Sequence, residues 1–220
     1  PQLILMESEM AVGDLGYDFF NFDHSYPVGQ FYWGGTDYIG ESFGWPAKGW
    51  VRGLIDFTNR LKPLGQSVKS FYTTKPMTKI ITRPRGGAGN RVWNDLKMTW
   101  ITLEEHWNYK EGDTLTIQVA SNCKETELFL NGKSLDRKAL PKQATTEGGK
   151  GIAPELTWQT PYIPGKLEAV GYDSEGKVIA SDRLATAGKP HHIIANVDKK
   201  TLKANGVDLA YIDYVVVDKQ

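Results

Sequence analysis

The chain has 220 residues, of which 40% are hydrophobic and 24% are charged, and 26 Lys and Arg residues balance 26 Asp and Glu residues. This is the composition of a globular protein, and the near-zero net charge provides neither a basic surface for nucleic acid nor a polybasic segment for a membrane. The single cysteine, Cys123, excludes an internal disulfide and a metal cluster held by several thiolates. No apolar segment approaches the roughly 18 residues of a membrane-spanning helix.

The N-terminal part of the sequence predicts a strand, a helix and a second strand. "LILME" at 3–7 is a short apolar run that ends in a carboxylate, as expected of a strand covered on both faces. Asp14 is placed to cap a helix over 15–26. "GQFYWGGTDYIG" at 29–40 then predicts the second strand.

The same alternation continues as far as residue 74. A loop rich in Gly and Trp at 41–53 leads to a short strand at 54–57 and a second helix at 64–74. The apolar residues predicted to share one face of that helix are Leu64, Val68, Phe71 and Tyr72. Strands that alternate with helices are typical of an α/β barrel or a doubly wound sheet. Two such units cannot close a barrel, so the other units are expected outside this sequence.

The pattern changes at "RPRGGAGNR", residues 83–91, which predicts a linker. Beyond it, alternation with period two marks strands in 113–121, 125–135 and 165–186, with the turn signals "NGK" and "DSEG" between them. About seven short strands are predicted in this region, which is typical of a β-sandwich. Residues 92–188 are therefore predicted to form a sandwich domain.

Two further alternating strands follow in 189–220, which is too little for a domain of its own. This segment is predicted to be the truncated start of another sandwich. Pro1 leads straight into an apolar run, and "YIDYVVVDKQ" ends just after a predicted strand. The sequence is therefore expected to be a fragment of a longer polypeptide.

Three blocks of sequence carry a resemblance to the β-galactosidase-type members of glycoside hydrolase family 2. The first is "LILMESEMAVGDLG" followed by a "YP..G.F.W" pattern, and the second joins "SNCKETELFLNGKSLDRK" to the strands of 156–190. The third is "VDKKTLKANGVDLAYIDYVVVD". The residues that match the "YP..G.F.W" pattern are Tyr26, Pro27, Gly29, Phe31 and Trp33.

The resemblance implies a mixed fold. Residues 1–82 would contain the terminal βα units, strands seven and eight, of an incomplete catalytic TIM barrel. Residues 92–188 would form an all-β immunoglobulin-like sandwich, and 189–220 the first strands of a second sandwich. The family's seventh strand ends in a nucleophilic glutamate, which corresponds to Glu7, and the tryptophan that packs against the sugar corresponds to Trp33.

The residues themselves leave alternatives open. A glutamate that ends an apolar strand is commonly a solvated group, and Glu9 is a competing nucleophile two residues further on. By residue type and position alone, a core role is favoured for Trp33 over a contact with sugar. Asp37 and Glu41 either accept hydrogen bonds from sugar hydroxyls or cap the loop that follows the second strand.

The resemblance therefore implies a part of a retaining exo-β-glycosidase of the β-galactosidase type, which uses two carboxylates about 5–5.5 Å apart. The acid/base glutamate is expected upstream of Pro1, so the fragment alone is expected to be inactive. No cofactor and no metal ligand set is expected. The expected partners are an oligosaccharide or polysaccharide substrate and the rest of the parent polypeptide, with no nucleic acid and no membrane insertion. Periplasmic or secreted localisation is also expected by resemblance. The alternative is a non-catalytic carbohydrate-binding or spacer sandwich.

Overall fold

The computed structural model describes residues 5–11, 27–39, 53–84, 89–93, 96–100, 103–140 and 156–219. Within these ranges the chain is mostly β-sheet, with thirteen strands and one short helix. The elements are β1 Leu5–Ala11, β2 Pro27–Trp33, α1 Pro63–Tyr72, β3 Thr78–Pro84, β4 Gly89–Trp93, β5 Leu96–Trp100, β6 Thr114–Ser121, β7 Glu125–Leu130, β8 Lys133–Ala139, β9 Leu156–Pro161, β10 Lys166–Tyr172, β11 Val178–Ala185, β12 His192–Val197 and β13 Ile212–Val217.

Strands β1 and β2 pair in parallel. Their register places Leu5 opposite Pro27 and Ala11 opposite Trp33, with an irregularity between Glu7 and Met10. The sequence predicts both strands but not their bounds. β1 continues four residues beyond Glu7, where the predicted strand ends, and β2 ends at Trp33, seven residues before the predicted end at 40. Parallel strands need a long crossover connection, and the helix predicted over 15–26 lies outside the described residues.

Helix α1 begins at Pro63, whose fixed φ suits the first helical position, with Lys62 as the N-cap residue. Its predicted location is confirmed, but its predicted apolar face is only partly right: Leu64, Val68 and Phe71 are half-buried. The buried residues are Gly65, Ser67 and Ser70, whereas Tyr72 is exposed. The reason is close packing: a Cβ on Gly65 would lie 2.3 Å from the carbonyl oxygen of Leu54, so only a small residue fits there.

Two antiparallel sheets enclose the main core. One has the order β3–β6–β9 and the other the order β11–β10–β7–β8. Every second residue of β6, β7, β9 and β10 is buried, which confirms the predicted alternation. The shared core consists of Ile80, Trp107, Leu115, Ile117, Val119, Leu128, Leu130, Leu156, Trp158, Tyr162, Leu167 and Ala169.

Strand β3 joins this core although it begins before the linker predicted at 83–91. That linker is wrong in part, since the last two residues of β3 and the first three of β4 lie inside it. Thr78–Pro84 pairs along its whole length with β6, and Ile80 and Ile81 are fully buried. The sequence places these residues at the end of the first predicted domain, because they follow α1 directly. Their hydrogen bonds join them to the strands beyond the linker.

The predicted turns form as the residue types indicate. Asn131 and Gly132 connect β7 to β8 with positive φ angles of 51° and 78°, the backbone of a type I′ hairpin. At the tip between β10 and β11, the Asp173 side chain accepts hydrogen bonds from the backbone N–H groups of Glu175 and Lys177, both at 2.9 Å. Gly176, with φ 81°, completes that turn.

Strands β12 and β13 form a separate antiparallel pair, as the alternation after 189 predicts. Its apolar side chains are exposed, with Ile193 at 64% and Val216 at 62%. Asp213 of β13 forms an exposed ion pair with Arg60, in the loop before α1.

The described part of the chain contains no helix that is long and apolar enough to cross a membrane.

Candidate functional site

The predicted nucleophile lies within β1. Glu7 is opposite Gln30 in the parallel register, and Glu9 is in the same strand. Trp33, at the end of β2, is three residue steps beyond Gln30, which corresponds to a rise of roughly 10 Å. The backbone of Glu7 is thus inside the strand pair, not at its carboxyl edge. Its role as a nucleophile stays a prediction.

Trp33 lies at the carboxyl edge of the parallel pair. It is the last residue of β2 and stands opposite Ala11, the last residue of β1. In α/β proteins, the residues at and beyond this edge build the functional site. The backbone of Trp33 thus lies at this edge, and its contact with a sugar stays a prediction.

Asp37 follows Trp33 closely and forms an ion pair. The Lys62 ammonium donates hydrogen bonds to both carboxylate oxygens of Asp37, at 2.8 Å and 3.1 Å. Only 12% of the Asp37 side chain and 22% of the Lys62 side chain are exposed. The observed partner of this carboxylate is therefore a lysine within the chain. Glu41, the other predicted sugar ligand, lies outside the described residues.

A backbone ladder reinforces this ion pair. The N–H groups of Leu54 and Ile55 both donate to the carbonyl oxygen of Gly35 at 3.0 Å, and the Asp37 N–H donates to the Ile55 carbonyl at 2.8 Å. Lys62 N–H donates to the Leu54 carbonyl at 2.8 Å. Residues 34–37 and 53–62 are thus held together by main-chain and side-chain contacts.

Sequence reasoning did not identify Lys62. The only local signal is the Lys62–Pro63 step at the start of a predicted helix, where a lysine has no obvious function. Its partner is 25 residues away in the sequence. Periodicity and turn chemistry do not reveal such a contact.

An open depression of about 690 Å³ on the sandwich is a second candidate binding site. Its lining residues are Asn108, Tyr109, Lys110, Asp113, Tyr162, Thr186 and Ala187. Several of their polar atoms hold the local structure: the Thr186 hydroxyl donates to the Trp107 carbonyl at 2.9 Å, and Asn108 accepts from the Ala187 N–H at 2.7 Å. Trp107 is fully buried and Tyr109 is half-buried, so both side chains pack in the core of the sandwich.

Two groups near this core have shifted pKa values. Burial raises the pKa of the Tyr109 phenol, whose hydroxyl lies 2.6 Å from that of Thr82. Burial also raises the pKa of the Glu105 carboxyl, and its Oε1 atom is buried without a hydrogen-bond partner among the described residues. No group of three or more His, Cys, Asp or Glu residues in the described ranges is arranged to hold a metal ion.

The sequence is similar to known families and curated proteins. Residues 112–180 match a family described as a domain of unknown function, DUF4982. The chain is 29% identical over 203 residues to the β-galactosidase BoGH2A of Bacteroides ovatus. The matched region covers 90% of this chain and 20% of that protein. It is 27% identical over 132 residues to a β-glucuronidase of Formosa agariphila, covering 57% of this chain and 12% of that one.

The fold is similar to solved structures as well. A glycosyl hydrolase family 2 member from Bacteroides cellulosilyticus superposes with a TM-score of 0.77 at 29% sequence identity, covering 98% of this chain and 29% of that chain. The chain spans between 12% and 20% of the length of the curated relatives that it matches.

Proposed function

This chain is related to the enzymes of glycoside hydrolase family 2, and we propose that it is part of a retaining exo-β-glycosidase of the β-galactosidase type. The observation that carries the proposal is the match to a family 2 structure over 98% of the chain, at 29% identity and a TM-score of 0.77. Relatives named β-galactosidase and β-glucuronidase support a β-glycoside as the substrate. The rest of the parent polypeptide would supply the missing part of the site.

The proposed chemistry is a double displacement. Glu7 attacks the anomeric carbon and displaces the leaving oxygen to form a glycosyl-enzyme, while a second carboxyl group, in the parent chain, is in its acid form and gives its proton to that oxygen. The resulting carboxylate then takes a proton from water, which attacks the anomeric carbon and releases Glu7. Trp33 offers an indole face to the C–H face of the sugar. Its place at the carboxyl edge of β1 and β2 supports this role.

The proposed domain organisation follows from the same relationship. Strands β1 and β2 with α1 would be the last strands and final helix of the barrel, which agrees with their parallel pairing. The two sheets that begin with β3 would be the following immunoglobulin-like sandwich, and β12 and β13 would open a further sandwich. We place the parent enzyme in the periplasm or outside the cell.

The experiment compares Glu7→Gln with Glu9→Gln in the parent protein. Both changes remove one negative charge and keep the side-chain shape, so each controls for the other. We expect Glu7→Gln to lower kcat on a nitrophenyl β-galactoside by at least about 10⁴-fold, because no covalent intermediate forms. Glu9→Gln is expected to retain most of the activity. The opposite pattern would make Glu9 the nucleophile, and full activity of both variants would contradict the proposal.

The substrate class is tested with the same parent enzyme. Nitrophenyl β-galactoside and nitrophenyl β-glucuronide differ in charge at C6, so the ratio of their kcat/KM values identifies the sugar. The 220-residue chain alone is expected to release no nitrophenol, even as a single-turnover burst. A burst from the isolated chain would show that this sequence binds the sugar and cleaves the glycosidic bond without the rest of the parent, and would contradict the expected inactivity.

The second candidate, a carbohydrate-binding or spacer module, has one observation in its favour. The two sheets of the sandwich share one continuous buried core, as expected of a module with a fold of its own. Gel electrophoresis of the chain through immobilised polysaccharides tests it. Retardation would favour binding, whereas unchanged mobility is expected for a module that braces the barrel.

A further inference from the structure

We propose that Lys62 is a positioning residue whose ion pair with Asp37 fixes the segment that follows Trp33. The consequence for catalysis rests on the proposed function above. The physical claim concerns residues 34–37 and holds whatever sugar is bound. Asp37 is thereby assigned to the support of the site and not to direct contact with the substrate.

The geometry of the pair favours a specific contact. The Lys62 ammonium lies within 3.1 Å of both Asp37 oxygens, and the two side chains are mostly buried. Exposed ion pairs contribute little to stability because water and salt screen them. A pair at this depth is screened less, and removing one partner leaves a buried charge without compensation.

Close packing leaves Asp37 little freedom to find another partner. A Cβ on Gly53 would lie 2.2 Å from the Asp37 Oδ1 atom and 2.6 Å from its backbone nitrogen. Only glycine therefore allows this approach. Together with the hydrogen bond from the Asp37 N–H to the Ile55 carbonyl, this contact holds the carboxylate in place.

Lys62 is itself held by the sandwich through α1. It is the N-cap residue of α1, and its side chain makes no capping hydrogen bond. One turn further on, buried Ser67 accepts a hydrogen bond at 3.3 Å from the Gln118 side chain of β6. A continuous set of contacts thus runs from β6 through α1 and Lys62 to Asp37, four residues after Trp33.

The perturbation is Lys62→Met, which keeps most of the length of the side chain and removes the charge. The Asp37 carboxylate then lies largely buried without its counter-ion, and it gains solvent only if residues 34–37 move. If Trp33 is displaced as a result, the affinity for the sugar falls more than the rate of bond cleavage does, so KM changes more than kcat. Loss of Glu7 would instead act on kcat.

The first measurement is hydrogen exchange in the 220-residue chain. Exchange at the amides of Asp37, Leu54 and Ile55 is expected to be about tenfold faster in Lys62→Met, because their hydrogen bonds open more often. Lys69→Met, a matched change at an exposed lysine of α1, is expected to leave these rates unchanged. Equal rates in wild type and Lys62→Met would overturn the proposal.

A double-mutant cycle identifies Asp37 as the partner. Asp37→Asn and Lys62→Met are each expected to accelerate exchange, and the double variant is expected to exchange no faster than Lys62→Met alone. Additive acceleration would show that Lys62 acts through another group and would overturn the proposed pair.

The second measurement uses the parent enzyme. We expect Lys62→Met to raise KM about tenfold with kcat within about threefold of wild type, and Lys62→Arg to recover most of the loss. An unchanged KM would overturn the catalytic consequence. A wild-type parent that hydrolyses no glycoside would refute the proposed function, and hydrogen exchange would still decide the role of the ion pair.

Discussion

Substitution of Gly171 by alanine tests how tightly the two sheets are packed. Gly171 is buried in β10 between β7 and β11, and an added Cβ would lie 2.4 Å from the Sγ atom of Cys123 and 2.8 Å from a methyl carbon of Thr78. Ordinary van der Waals contacts begin near 3.5 Å. The new atom would therefore overlap the sulfur by about 1 Å, with neighbouring strands on both sides of it.

The expected loss of stability is about 2 kcal/mol, since overpacking of a well-packed core typically costs about 1–3 kcal/mol. For a chain of this length, that corresponds to a fall in Tm of about 4–8 °C. The control is Gly35→Ala: no atom lies within 4 Å of its added Cβ, so the variant is expected to be as stable as wild type.

The assay is urea unfolding followed by tryptophan fluorescence, in which a lower midpoint at constant slope reports stability alone. Adding Cys123→Ala to Gly171→Ala removes the overlapping sulfur and is expected to recover part of the loss, as a favourable coupling energy in a double-mutant cycle. Equal midpoints for Gly171→Ala and Gly35→Ala would refute the described packing of β10 against Cys123.

Three further changes have defined outcomes. Thr82→Val removes the hydroxyl of a fully buried residue, which lies 3.1 Å from the His106 carbonyl and 2.6 Å from the Tyr109 hydroxyl. This change is expected to lower the free energy of unfolding by about 2 kcal/mol, as measured by urea unfolding. Thr82→Ser keeps the hydroxyl and is expected to lower it less. Burial raises the pKa of Glu105 in the folded chain. The contribution of this carboxyl to the free energy of unfolding is therefore fully present below its pKa in the unfolded chain, and is lost as the pH rises through its pKa in the folded chain. Glu105→Gln is therefore expected to raise Tm at pH 7 but not near pH 4, and a Tm gain of equal size at both pH values would contradict the assignment. Asn131→Ala loses two side-chain hydrogen bonds and a residue that tolerates positive φ, and is expected to cost about 1–2 kcal/mol in urea unfolding, with Asn131→Gly less affected.

The strands of the sandwich and their turns could be predicted from the sequence because their signals are local. Alternation in 113–121 places every second side chain on the inner face, and Asn131–Gly132 specifies a tight hairpin through its tolerance of positive φ. The position of α1 could be predicted for the same reason. Its buried face could not, since Gly65 and Ser67 carry no apolar signal and are buried only because the helix approaches its neighbours closely.

Some residues of the candidate site could likewise be predicted from the sequence, and others could not. The resemblance of the first 40 residues directs attention to Glu7 and Trp33, and the parallel register then puts Trp33 at the carboxyl edge and Glu7 inside the strand pair. The partner of Asp37 could not be predicted, because Lys62 is 25 residues away in the sequence. An ion pair between distant residues depends on which loops the fold brings together.

By itself, therefore, the sequence determined the strands, the turns and the family relationship, since periodicity, turn chemistry and residue motifs are properties of short segments. Only the tertiary structure decided that β3 pairs with β6, that Gly171 packs against Cys123 and that Lys62 neutralises Asp37. These contacts join segments that are far apart in the chain, and they form because burial makes each unpaired charge or polar group and each unfilled space unfavourable.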